Sequence, residues 1–258
     1  MNKISKILSS VNEQPITDKA LLDKFEWLAG HIAEENKKVN ITSITDEVGI
    51  ATKHFADSLS VLRLNELKKE NIRLADIGCG GGFPGLPIKM ARDDIDVVML
   101  DSTEKKIRYV ESTAKLLGLE KIKCIAGRAE DVSAKGQPMR EYFDVVTSRA
   151  VARLSVLSEI CLPFVKVGGY FISMKAAAAD EELREAKNGF AKLGGKLEKC
   201  VEIPFTFDGL DTNDFNDEEK KQLEEFASSR RVLVIVKKVK PTPDAYPRAW
   251  AKITKNPL

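Results

Sequence analysis

The sequence predicts an α/β fold: a mostly parallel seven-stranded sheet, helices on both faces, and an N-terminal helical extension. From Ile72 onward, short apolar runs alternate with helix-length segments, the pattern of strands joined by crossover helices. The first run ends in a glycine-dense turn and the second in an acid. That order places a nucleotide-like ligand at the carboxyl edge of a parallel sheet. Before about residue 70 there are no such runs, only apolar side chains at helical spacing. The chain therefore divides into an extension, 1–70, and an α/β domain, 71–258.

In the extension, Leu21, Leu22, Phe25, Leu28, Ala29 and Ile32 recur on one helical face behind a cap at Thr17 or Asp18. A polar segment, 34–42, leads to a second helical stretch, 45–65. There Val48, Ile50, Ala51, Phe55, Leu59 and Leu62 form the expected buried face. Strands are expected at 72–77, 97–100, 122–126, 143–147 and 169–174. Helices fit at 84–92, 104–117, 151–165 and 179–193. Two further runs, 197–205 and 230–239, leave room between them only for a helix at 217–228. They fit a terminal antiparallel pair.

The glycine turn narrows the cofactor. Gly78, Gly80, Gly81 and Gly82 fall within five positions, which lets the backbone take positive φ and approach a ligand closely. No Lys follows them, as a phosphate-gripping P-loop requires. Phe83 occupies the third glycine position of a dinucleotide fingerprint and crowds the place of a pyrophosphate. S-adenosylmethionine carries no phosphate and suits the loop better. Asp101, 19 residues after Gly82, is placed to accept both ribose hydroxyls. Asp76 is placed to hold the loop amides or the methionine ammonium.

Composition excludes several classes. At 258 residues, with 43% hydrophobic and 31% charged side chains, the chain reads as globular with a substantial core. No run approaches the roughly 20 apolar residues of a membrane span. No signal peptide is evident, and the four scattered cysteines suit reduced thiols in a cytoplasm. Two histidines and no Cys/His cluster argue against a metal. A net charge of +2 means that any nucleic-acid contact rests on a local patch.

An ordered set of motifs then stands out: Asn36-Lys-Lys-Val-Asn-Ile-Thr42, Lys53-His-Phe-Ala-Asp-Ser-Leu59, Asp76-Ile-Gly-Cys-Gly-Gly-Gly-Phe-Pro-Gly85, Asp101-Ser, Gly127-Arg-Ala-Glu130, Val146-Thr-Ser-Arg-Ala-Val151, Tyr246-Pro-Arg and Lys255-Asn-Pro-Leu258. Together they resemble the bacterial 16S rRNA guanine-N7 methyltransferase G family, also called glucose-inhibited division protein B, over about residues 20–258. The resemblance implies a Rossmann-like class I S-adenosylmethionine-dependent methyltransferase acting on one guanine of small-subunit ribosomal RNA. It maps cofactor contacts onto Gly78, Phe83, Ala129, Glu130 and Arg149; spacing adds Asp101. The chain departs from the family pattern at Cys79, at Ala176 after Lys175, and at Ala249-Trp-Ala251 in the tail.

Guanine N7 carries a lone pair and no proton, so no catalytic base is expected and catalysis rests on positioning. The rim candidates are His54, Arg149 and Lys175. Asn36, Asn40 and a basic set of Arg149, Arg153, Lys175, Arg230, Arg231, Arg248 and Lys252 are further candidates for RNA. Lys237, Lys238 and Lys240 are expected on a solvated face, and Trp250 either stacks on a base or anchors the tail. The expected partner is 16S rRNA or the small ribosomal subunit, met by a monomer in the cytoplasm with no metal and no membrane. The alternatives are a non-catalytic RNA-binding protein, a small-molecule methyltransferase and an NAD-dependent oxidoreductase.

Overall fold

The computed structural model describes residues 2–176 and 179–258. Helices α1 (Lys3–Ser10) and α2 (Lys19–Glu35) open the chain. The Asn2 and Asp18 side chains cap them by accepting from the N–H groups of Ser5 and Ala20. A continuous helical path follows: α3 (Glu47–Gly49), a π-helical turn over Ile50–Ala56, α4 (Asp57–Leu59) and a 3-10 turn over Ser60–Arg63. The α/β part then runs β1 (Arg73–Ile77), α5 (Gly85–Ala91), β2 (Asp96–Asp101), α6 (Glu104–Leu116), β3 (Ile122–Ala126), α7 (Ala129–Val132) and β4 (Phe143–Arg149). It continues with α8 (Leu154–Cys161), β5 (Val165–Lys175), α9 (Ala179–Lys192), β6 (Gly195–Glu202), α10 (Asp217–Ser228), β7 (Val232–Lys238) and α11 (Trp250–Lys255).

The seven strands form one sheet in the order β3-β2-β1-β4-β5-β7-β6. Strands β1 to β5 pair in parallel, and β7 runs antiparallel to both β5 and β6. The chain order reverses between β1 and β4, which opens a crevice at their carboxyl ends. Both faces are covered, and the strands show it by alternation. Along β7, Val232, Val234 and Val236 pack with α8 and α9. Leu233 and Ile235 pack on the other face, in one cluster with Ile4, Phe25 and Phe55 of the N-terminal helices.

The seven expected strands and their antiparallel end are present, with bounds shifted by a few residues. Strand β5 begins at Val165, four residues before the expected start, across an irregular register between Phe143 and Val145. The helix expected from 151 starts only at Leu154. Ala150 takes a φ of +55°, and the chain from there to Arg153 runs as a loop along the crevice. The stretch 45–65 changes helical type three times. Of its expected buried face only Leu62 is partly exposed. Helix α11 falls in the tail, where no helix was expected.

One expectation fails outright. Lys238 is fully buried, not solvated. Its ammonium donates to Leu162 O at 2.7 Å and Thr242 Oγ1 at 2.6 Å and pairs with Glu141 at 3.1 Å. Burial pushes its pKa down to about 8. The β7 alternation explains the position. Residue 238 continues the inward set of 232, 234 and 236, so its amine must find partners inside.

Candidate active site

At Ile77 the chain leaves β1 and turns. The N–H groups of Gly78 and Cys79 both donate to Leu100 O, at 2.7 and 3.1 Å, so pairing with β2 continues into the loop. Gly78 has a φ of +74°, and a Cβ there would overlap Val151 Cγ2. Conformation and space both demand glycine.

Two carboxylates hold this loop. Asp76 lies beneath it, fully buried; Oδ2 accepts from Gly85 N–H at 2.8 Å and Oδ1 has no partner among the described residues. Burial raises its pKa to about 7. Through Gly85, Asp76 ties the first residue of α5 to the end of β1. Asp101 holds the loop from the side. Its Oδ2 accepts from Gly80 N–H at 2.9 Å and its Oδ1 from Thr103 N–H at 2.8 Å.

The loop forms one wall of a cleft of about 400 Å³. Gly78, Phe83, Asp101, Ala129, Glu130 and Arg149, chosen from the sequence for cofactor binding, all line it. They come from the ends of β1, β2, β3 and β4, which the topology gathers at one sheet edge. A second cleft, of about 620 Å³, adjoins it; His54, Arg149, Ala150 and Val151 line both.

Arg149 ends β4 between the two clefts. Its Nη1 donates to Lys53 O at 2.7 Å and to Asp57 Oδ2 at 2.8 Å. Arg231 reaches the other oxygen of Asp57 at 3.3 Å. The Arg149 guanidinium lies 5.5 Å from the Phe83 ring centroid and 3.4 Å from His54 Nδ1. An arginine only donates, so Nδ1 accepts and the His54 proton sits on Nε2, 2.7 Å from Thr42 Oγ1. The imidazole stacks on Phe83 at 4.3 Å and 7°. Burial, then the charge of Arg149, pushes the His54 pKa down to about 3. His54, expected at the rim, is therefore a neutral ring only 8% exposed. The π-helical turn carries it, with its extra residue per turn.

The other candidates divide. The Lys175 ammonium donates to Ala152 O at 2.8 Å and pairs with Glu182 at 2.6 Å. Lys175, Arg153 and Arg231 join Arg149 around the second cleft, whereas Arg230, Arg248 and Lys252 do not. Arg230 pairs with Asp180, and Arg248 with the fully buried Glu159. Asn36 ties a turn, its Oδ1 accepting from Ile41 and Thr42 N–H; Asn40 is exposed. Sequence reasoning missed Lys106, Arg128 and Ile160 as residues of the 400 Å³ cleft, and placed Trp250 on the RNA or the tail, not in this cleft. The first two follow Asp101 and precede Ala129 closely, a proximity that could have flagged them.

The sequence model of one protein family, described as rRNA small subunit methyltransferase G (GidB), matches residues 21–204. The chain belongs to this family. Similar curated relatives are ribosomal RNA small subunit methyltransferase G of Clostridium tetani and of Limosilactobacillus reuteri. The first is 42% identical over 88% of this chain and 86% of its own; the second is 42% identical over 88% and 87%. The protein is thus an rRNA methyltransferase with a class I Rossmann-like fold. Solved structures share that fold at low identity. The [4+2]-cyclase SpnF has a TM-score of 0.54 at 13% identity, covering 88% of this chain and 98% of its own. A geranyl diphosphate C-methyltransferase from Streptomyces coelicolor A3(2) has a TM-score of 0.51 at 15% identity, covering 75% and 83%. Among the described residues, no helix is long and apolar enough to cross a membrane, and no acid, His and Cys group could hold a metal.

Proposed function

We propose that this protein transfers a methyl group from S-adenosylmethionine to N7 of one guanine in 16S rRNA, acting as a monomer in the cytoplasm. The observation that carries the reading is the pair of adjoining clefts at the switch point, with Arg149 between them. The 400 Å³ cleft suits a phosphate-free nucleoside. It has a glycine wall, the Asp101 carboxylate for hydroxyls, and apolar sides from Ile77, Leu100 and Ile160. The second cleft is ringed by Arg149, Arg153, Lys175 and Arg231 together with their partners Asp57 and Glu182, so an RNA backbone there competes with these pairs for the cations.

Bound S-adenosylmethionine supplies an electrophilic methyl. Guanine N7 needs no proton removed, so the protein's part is to position the base and exclude water. Arg149, fixed by Asp57 and Lys53 O, keeps its geometry at the junction. His54 stays neutral beside it and adds no second positive charge next to a sulfonium.

Transfer of labelled methyl to small subunits from cells lacking this protein, followed by mapping of the modified base, tests the reading. Label at N7 of a single guanine is expected. Label at another atom, or none with cofactor binding intact, would overturn it.

A further inference from the structure

The tail after β7 is tied to the α/β domain at three points. Arg140 donates to Thr242 O at 2.7 Å and Tyr246 O at 2.9 Å. Glu159, on α8 and fully buried, receives the Arg248 backbone N–H and Nε at 2.8 Å each and Nη2 at 2.6 Å. Ile253 of α11 is fully buried in the α8 cluster. Between the last two anchors stands Trp250. It is only partly buried, packs against the α8 cluster and lines the cofactor cleft with Gly127, Ala129 and Ile160. The Arg128 guanidinium lies 5.7 Å from the ring centroid. This segment lies beyond residues 21–204, the span that the family match covers.

A buried carboxylate that fixes both main chain and side chain of one residue sets the course of the next few. Here it sets residue 248, two positions before the indole. Trp250 packs on the α8 cluster with Ile253, yet it also lines the cleft, where Arg128 meets its ring, so anchoring the tail does not exhaust its position. We propose that Trp250, with Arg128 against it, is a cofactor-binding residue that packs on the adenine ring. The Arg248–Glu159 pair is its positioning device. The inference rests on the reading of this cleft as the S-adenosylmethionine site. Base–aromatic stacking supports the choice of adenine, because a flat apolar ring gains most from another flat ring.

The chain has two tryptophans, and the other, Trp27, is an exposed residue of α2. A Trp27→Phe protein therefore reports Trp250 fluorescence alone. S-Adenosylhomocysteine should change that emission with the same Kd that calorimetry gives. Trp250→Ala should weaken binding about tenfold, Trp250→Phe much less, with unchanged circular dichroism and melting temperature in both. Arg248→Gln should raise KM for S-adenosylmethionine with kcat retained, and Arg248→Lys should lie between it and wild type. Emission unaltered by ligand, or wild-type affinity in Trp250→Ala, would overturn the proposal. No binding by the wild-type protein would instead bring down the cofactor reading itself.

Discussion

Two buried ionisable side chains beside the cleft titrate in opposite senses. His54 has its pKa lowered from 6.5 to about 3. Between those values the unfolded chain binds a proton that the folded protein refuses. The stabilising contribution is present above pH 6.5 and is lost as pH falls toward 3. Asp76 has its pKa raised from 3.8 to about 7. Its folded form holds a proton that the unfolded chain has released, so its contribution is present below pH 4 and fades as pH rises through 7. Denaturant unfolding of His54→Asn between pH 7.5 and 4.5 should show wild type losing stability relative to the variant as pH falls. The slope should be at most about 1.4 kcal/mol per pH unit. Asp76→Asn should gain on wild type as pH rises from 5 to 8. Gly78→Val meets a steric limit instead: left-handed backbone and overlap with Val151. It should abolish cofactor binding by calorimetry, and wild-type affinity would refute the placement of the loop.

Elements show how local chemistry serves the site. Helix α10 begins with a capping box. Asn216 Oδ1 accepts from Glu219 N–H and Glu219 Oε2 from Asn216 N–H, both at 2.9 Å. Glu219 also pairs with Lys3 at 2.6 Å, which joins α10 to α1. Asn216→Ala should cost about 1 kcal/mol in thermal or denaturant unfolding and leave methyl transfer unchanged, since the start of α10 lines neither cleft. The helical path 47–63 behaves differently. Its apolar residues gave helix correctly, but the π-helical turn that carries His54 has no signature in residue spacing, and the ring's partners, Phe83 and Arg149, are distant in the chain. That is why His54 was legible as a candidate but not as a buried neutral ring.

At the scale of the whole molecule, the N-terminal extension shares one apolar cluster with the sheet. Ile4, Ile7 and Leu8 of α1 are 0–1% exposed in that cluster. We propose that the extension is a layer of the α/β fold and not a module that folds alone. Residues 71–258 alone should lack a cooperative melt, and Ile7→Ala in the full chain should cost about 2–5 kcal/mol. A cooperative melt of the truncated chain at the wild-type temperature would sink this view. The sequence by itself determined the α/β class, the order of the strands and the glycine loop that Asp101 holds. These follow from periodicity, glycine placement and spacing along the chain, which are local properties. Only the tertiary structure decided that Lys238 meets Glu141 and Leu162 O, that Arg149 is clamped by Asp57, and that the tail brings Trp250 to the 400 Å³ cleft. These pairings span tens to more than a hundred residues. They depend on which face of the sheet each element covers, which no local pattern encodes.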